Sequence, residues 1–409
     1  MRQLSNSSRG FSLIELLMAL ALGLVVTGAA VKLYSTGVDA TWVIQQRAEL
    51  QQDLRGSESM LLKDISLAGA GMTGVPGDSV ALPNSVAPIY GCSAGPVCAP
   101  NGAINYPCVG AGCVPTLYPI MPGFGRGIIP PGSTTASDII TITYSDTNLP
   151  MSCYSGATNV NPLKFNGTGN VLTFMAPPNP PPSSCILPPG LAYPTALNNT
   201  VNGLLPGDII LIGPTVNNLV AVGEVTAVAG PLGAPTPCAG NPCAGGSTYT
   251  VTFANADTLN LNQSGQNNDL TKLNPAAGVG GPLASVPITR ILVITYYLKN
   301  WVDASGHTTT ILYRQVNGQP AVPLADNVAN MQFTYDTYDT SGNLLNATGD
   351  GGEAAGTSPN LIRKINIIHL TVHGQLYGVK TSLMATQGFQ SFDLQTSISA
   401  RNMSYNQRY

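Results

Sequence analysis

A carboxylate, Glu15, stands near the start of an apolar run from Phe11 to Val31 that reads FSLIELLMALALGLVVTGAAV. An unpaired carboxylate inside a bilayer costs about 2.5–3.5 kcal/mol, so Glu15 needs a partner. A free amine at Phe11 would supply one, because Phe11 and Glu15 are four apart on a helix and negative charge suits a helix N-terminus. That amine exists only if the chain is cut between Gly10 and Phe11. The chemistry this spacing points to is proteolytic processing followed by charge pairing.

The remaining chemistry-bearing residues do not converge on a site. His369 and His373 are four apart, which on a helix would suit a metal, but they lie in a strand pattern, Ile365 and Ile367 against Asn366 and Ile368. Four strand residues span about 13 Å, too far for one ion, so both read as solvent-facing strand histidines. Gly123-Phe124-Gly125-Arg126-Gly127 superficially resembles a phosphate loop. No strand pattern precedes it and prolines follow, so it reads as an ordinary loop. The acidic pairs Asp336/Asp339 and Asp350/Glu353 lack the dense oxygen spacing of a calcium loop. No catalytic residue, metal or cofactor is expected.

The elements that must position Glu15 follow from composition and periodicity. Of the 409 residues only 9% are charged, against roughly 25% in ordinary domains. Gly (45) and Pro (33) are abundant. A net charge of −3 offers no basic surface, which argues against nucleic acid as a partner. Only one apolar run is long enough to span a bilayer, so a multi-span protein is excluded. Its twenty-one residues make a helix of about 32 Å, matching a hydrocarbon core of about 30 Å. A secretory signal would be shorter and end in a small-residue cleavage site; here helical sequence continues through Ile65. Arg2 and Arg9 precede the run, placing the N-terminus in the cytoplasm and the bulk of the chain outside. Past Lys32, Val43, Leu50, Leu54, Leu61, Ile65 and Ala68 recur at helical spacing, and Gly69, Gly71, Gly74 and Pro76 end the helix.

The segment Arg9-Gly10-Phe11-Ser12-Leu13-Ile14-Glu15-Leu16-Leu17 resembles the prepilin motif of type IV pilins and type II secretion pseudopilins. The resemblance implies a leader of residues 1–10 removed by a membrane prepilin peptidase, N-methylation of Phe11, and pairing of Glu15 with the terminal amine of a neighbouring subunit during assembly. It also implies the lollipop layout of that family: an α+β fold in which a long transmembrane and spine helix precedes a mainly antiparallel β head with disulfide-stapled loops. The expected divisions are a leader at 1–10, a transmembrane part at 11–34, an exposed amphipathic part at 35–68, a Gly/Pro/Cys-rich loop region at 69–136 and a β-rich head at 137–409.

Within the head, strand patterns cover Asp138 to Tyr144, Val171 to Phe174, Asp208 to Ile212, Leu219 to Val228, Thr248 to Phe253, Ile288 to Leu298, Thr308 to Val316, Val328 to Tyr335 and Arg363 to His373. Asp303-Ala304-Ser305-Gly306 and Val316-Asn317-Gly318-Gln319 read as turns, and Leu324 to Met331 as room for one short helical turn. Eight cysteines lie beyond the membrane run: Cys92, Cys98, Cys108, Cys113, Cys153, Cys185, Cys238 and Cys243. The orientation puts them in an oxidising periplasm, and although eight cysteines allow about 105 pairings, proximity favours Cys92–Cys98, Cys108–Cys113, Cys238–Cys243 and then Cys153–Cys185. Their gaps are longer than zinc sites use.

The phrases Gly207-Asp208-Ile209-Ile210-Leu211-Ile212, Ile288-Thr289-Arg290 with Tyr296-Tyr297-Leu298, Leu312-Tyr313-Arg314, Leu324-Ala325-Asp326-Asn327-Val328 with Phe333-Thr334-Tyr335, Ile362 to Ile367 and Arg401-Asn402 look like the PilW-type minor pilins. That resemblance implies a structural subunit, not an enzyme, that primes a type IV pilus or sits at its tip. Its implied partners are other minor and major pilins, the prepilin peptidase, the inner-membrane assembly platform and a tip adhesin, with no nucleic acid. It would pass from a single-pass place in the inner membrane to the extracellular filament. A J-type pseudopilin of type II secretion and a pilus-borne adhesin module are the alternatives.

Overall fold

The computed structural model describes residues 12–72, 80–81, 116–146, 164–165, 171–175, 197–200, 203–213, 220–232, 248–253, 259, 261, 270, 288–302, 306, 308–339, 341–345, 361–375, 389–400 and 402–403. The chain divides into two compact units, one of residues 1–52 and 373–391, the other of residues 53–372 and 392–409.

Helix α1, Leu13–Leu67, runs for 55 residues without a proline. Its first part carries the apolar run, with Leu13, Leu17 and Leu24 80%, 59% and 68% exposed. The mean hydropathy there reaches 2.2 over eighteen residues, and among the described residues α1 is the one helix long and apolar enough to cross a membrane. The last four turns behave differently. Leu54, Ser57, Leu61, Asp64, Ile65 and Ala68 recur at three- and four-residue steps and are all buried, the stripe that a helix lays on a sheet. Gly69 (φ 74°) then takes the left-handed conformation that terminates helices. The exit is stitched to a strand: Gly69 N–H donates to Thr143 O at 2.9 Å, and Ser145 N–H to Ala70 O at 2.7 Å. Gly71 (φ 70°) passes so close that an added Cβ would sit 2.4 Å from Ser145 Cβ.

Beyond the end of α1, the described residues of the second unit are mainly antiparallel β. Strands β1 (Val80–Ala81) and β2 (Thr116–Leu117) pair with each other. The main sheet contains β3 (Ile120–Gly123), β4 (Ile139–Ser145), β5 (Lys164–Phe165), β6 (Val171–Met175), β7 (Ile209–Ile212), β8 (Ala221–Leu232), β9 (Thr248–Phe253), β10 (Ile288–Val302), β11 (Thr308–Val316) and β12 (Val322–Ala325). Its order is β12-β11-β10-β7-β8-β9-β6-β5, with β4 pairing β10 and β3. A separate three-stranded sheet runs β13 (Val328–Thr337), β14 (Ile362–Gln375), β15 (Phe389–Ser399).

The fifteen-residue β10 is the organising strand. Its residues 294–296 pair with β11 on one side and β4 on the other. Alternate residues of a strand face opposite ways: Ile291, Val293 and Tyr297 join a core with Ile139, Ile209, Leu211 and Val222, while Tyr296 faces α1. Arg290 secures the strand's start through Asp146 at 2.5 Å and Asp208 at 3.3 Å.

All nine expected strands are present, two or more residues longer at several ends. Two readings are corrected. Leu324 to Met331 holds no helical turn: β12 and β13 occupy it, with Asn327 (φ 58°) reversing the chain between them. A strand, β3, does precede Gly125. It was obscured because Pro122 and Gly123 are poor strand formers.

Candidate functional site

The candidate site begins at the first turn of α1. Ser12 N–H donates to Glu15 Oε2 at 3.0 Å, and Glu15 N–H donates to Ser12 Oγ at 3.2 Å. This reciprocal pair is a capping box: each side chain satisfies one amide that the helix start leaves unpaired. The Ser-x-x-Glu spacing carries that signal in the sequence, so Glu15 has a capping role with Ser12 besides the ionic one. Among the described residues the cap engages Oε2 of the carboxylate and not Oε1. Gly10 and Phe11, the expected cut and methylation positions, lie outside the described residues.

The second feature is a polar hub where the buried end of α1 meets the sheet. Asp64, 2% exposed, accepts from Tyr144 Oη at 3.0 Å, Tyr296 Oη at 2.6 Å and Arg314 Nε at 2.8 Å. The helix contributes one carboxylate; β4, β10 and β11 contribute one donor each. Burial and the adjacent Asp64 charge push both phenols well above their ordinary range, so they remain donors. Desolvation works against the Arg314 charge, but the Asp64 pairing outweighs it and holds the guanidinium above its usual value. A buried charge is tolerable only when paired and hydrogen-bonded in this way. Nearby, the single Ser57 hydroxyl proton is shared between Asp53 O one turn back in the helix, at 2.7 Å, and Leu324 O of β12, at 3.1 Å.

A third buried group, Asp138, joins the two sheets. It leads into β4, yet its N–H donates to Met331 O at 2.9 Å. Its carboxylate accepts Phe333 N–H at 2.8 Å and Gly125 N–H at 2.7 Å. One residue therefore imitates a strand neighbour for β13. Burial raises its pKa to about 6 in spite of those two amides.

The other chemistry-bearing residues are placed as follows. His369 lies on β14, and its Nδ1 is 3.0 Å from Asp393 Oδ2 on β15. The side chain of His373 is outside the described residues. Gly125 N–H is taken by Asp138, and Gly127 N–H donates to Ser137 O at 2.8 Å, so these amides do not cradle a phosphate. Asp336 pairs with Lys364 at 3.4 Å and Asn366 at 3.0 Å. Asp339 instead accepts from the amides of Ser341 and Asn343 in its own turn. The two carboxylates thus serve different partners. Asp350, Glu353 and all eight cysteines lie outside the described residues. Among the described residues no cluster of three metal-ligating side chains occurs.

Residues 5–31 match the family model described as the Prokaryotic N-terminal methylation motif. The match covers Gly10, Phe11, Ser12 and Glu15 and the apolar start of α1. No curated protein and no solved structure matches the chain. The motif marks a type IV pilin-like or pseudopilin-like prepilin, a structural subunit of a class that interacts with a prepilin peptidase and with other pilins. The exposed apolar start of α1 fits the single-pass membrane anchor typical of that class.

Proposed function

We propose that the protein is a minor pilin of the PilW type, a structural subunit that primes a type IV pilus or sits at its tip. The observation that carries this reading is the methylation motif at residues 5–31 set on a 55-residue helix whose apolar start is exposed. In this reading the peptidase cuts between Gly10 and Phe11, Phe11 is N-methylated, and the apolar part of α1 is held first by the inner membrane and then by other subunits' helices. The β unit is carried in the periplasm and later on the filament. Glu15 keeps one oxygen on the helix cap and offers the other to a neighbouring subunit's terminal amine. The J-type pseudopilin shares the motif; the long, charge-poor head favours the pilus.

Mass spectrometry of the membrane-extracted protein tests the processing step. The mature chain should begin at N-methylated Phe11, and Gly10→Val should leave residues 1–10 attached. An intact Met1 terminus in cells with active prepilin peptidase overturns the reading. Deleting the gene separates the roles: loss of filaments supports priming, intact filaments that no longer attach support an adhesin, and loss of protein secretion with normal filaments supports the pseudopilin.

A further inference from the structure

α1 starts at a defined residue. Ser12 is not helical and Leu13 is the first helical position. The Ser12 carbonyl accepts Leu16 N–H at 3.3 Å, the first bond of the helix, as an N-cap carbonyl does. The Ser12 hydroxyl accepts Glu15 N–H at 3.2 Å, and the Glu15 carboxylate closes the pair by accepting Ser12 N–H at 3.0 Å. The apolar side chains beside this cap, Leu13, Ile14, Leu16 and Leu17, are 80%, 67%, 61% and 59% exposed. The cap, rather than packing, therefore sets where the helix begins.

The methylation motif spans the same residues, and the proposed cut falls at the Gly10–Phe11 bond, with only Phe11 and Ser12 between it and the first helical residue. A peptide is gripped by its backbone hydrogen-bonding groups when it is extended, whereas a helix engages those groups itself. An N-cap residue has extended backbone angles, so a cap at Ser12 continues the extended course of the chain that enters it. Without the cap two amides next to an apolar run lose their acceptors, which is costly away from water. The remedy is an earlier start. Gly10 and Ser8 are the next upstream residues suited to capping, and a helix begun at either takes one or both sides of the Gly10–Phe11 bond into its first turn.

We propose that Ser12 is a positioning residue for the processing cut: with Glu15 it stops α1 at Leu13 and leaves the Gly10–Phe11 bond on extended chain that the prepilin peptidase can bind. The inference rests on the processing reading above and deepens it, giving a role to a residue outside the bond that is cut. The step itself is a hydrolysis. Water adds its hydroxyl to the Gly10 carbonyl carbon and its proton to the Phe11 nitrogen, which leaves as the new terminal amine.

The test is cleavage of the full-length precursor in detergent micelles by purified prepilin peptidase, followed over a range of precursor concentrations. Ser12→Ala should raise KM between about two- and fivefold at unchanged kcat, because only the fraction of molecules presenting the bond changes; cleavage still runs to completion. Ser12→Asn, an equally good cap without a hydroxyl, should be cut like the wild type, and Ser12→Thr, a slightly weaker cap, should fall between. An uncut wild-type precursor would sink the processing reading and this inference with it. With the wild type cut at Gly10, three results overturn the inference alone. They are Ser12→Ala with wild-type constants, Ser12→Asn as slow as Ser12→Ala (the peptidase then reads the hydroxyl itself), and a loss confined to kcat.

Discussion

Arg314 Nε lies 2.8 Å from Asp64 Oδ2, an ion pair in which the carboxylate side chain is 3% exposed and the guanidinium 22%. The same carboxylate receives Tyr144 and Tyr296, so a single helix residue ties three strands to α1. Asp64→Ala would leave Arg314 and two phenols facing each other in a desolvated space. Breaking a buried pair costs about 3–5 kcal/mol, and the partial exposure of Arg314 puts the loss at the lower end, about 3 kcal/mol. Asp64→Asn, which keeps an acceptor but not the charge, should cost less. Urea unfolding of the detergent-solubilised full chain measures both; a loss below about 1 kcal/mol for Asp64→Ala would show that the hub is incidental to the docking of the helix.

Asp138 gives the fold a pH dependence of definite sign. Its carboxyl has a pKa of about 6 in the folded chain against a usual 3.8, chiefly through burial. The folded state therefore holds this proton more tightly than the unfolded state between those values. Its contribution to stability is full below about 4, falls as pH rises towards 6, and is flat above. A two-unit shift corresponds to about 3 kcal/mol. Unfolding midpoints measured from pH 4 to 7 should show this fall in the wild type and lose it in Asp138→Asn. That substitution would also set a side-chain NH2 against one of the two backbone donors, lowering stability across the whole range. An identical slope in both proteins would assign the pH dependence to other groups.

Much of the architecture was legible because it rests on local periodicity. The apolar run and the stripe from Leu54 to Ala68 specify α1, and alternation or short apolar runs specify the nine expected strands, since these patterns survive without any tertiary partner. β12 was hidden by Pro323, and β15 by the serines, threonine and glutamine that dilute its Phe392, Leu394, Ile398 row. Edge strands bury only part of one face, so their pattern is weak. Asp64 and Asp138 were not legible at all. Their partners lie 80 to 250 residues away for Asp64 and 195 for the amide of Phe333, and nothing in the spacing of a lone aspartate announces such contacts. Ser12 is the opposite case, since its capping signal stands three residues from Glu15 in plain sequence.

The cysteines carry a separate expectation. If the head is periplasmic, as proposed, they should oxidise into four local bridges, with Cys92–Cys98, Cys108–Cys113 and Cys238–Cys243 contributing about 2 kcal/mol each and Cys153–Cys185 about 4 kcal/mol by loop entropy. Peptide mapping under non-reducing conditions should recover all four pairs from protein taken at the membrane. Free thiols throughout would refute the scheme and bring metal binding back into consideration.

Glu15 is where two physical roles can be pulled apart. As a capping residue it accepts Ser12 N–H, a contact worth about 1 kcal/mol to the start of a helix; as a charge, in the proposed assembly, it neutralises a neighbouring subunit's terminal ammonium. Glu15→Gln retains the capping hydrogen bond, because an amide oxygen serves at that position, but carries no charge. Ser12→Ala removes the other half of the cap and leaves the charge in place. If the charge matters, Glu15→Gln should insert in the membrane and be cleaved at Gly10 yet fail to enter filaments, since it leaves a buried ammonium unpaired. Ser12→Ala should still be incorporated, with fraying confined to the first turn. Glu15→Ala loses both roles and should be at least as defective as Glu15→Gln, although its insertion becomes easier. The measurement is the amount of each variant co-purifying with sheared filaments relative to that left in the inner membrane. Wild-type incorporation of Glu15→Gln together with exclusion of Ser12→Ala would assign Glu15 to the helix cap and end the charge-pairing account.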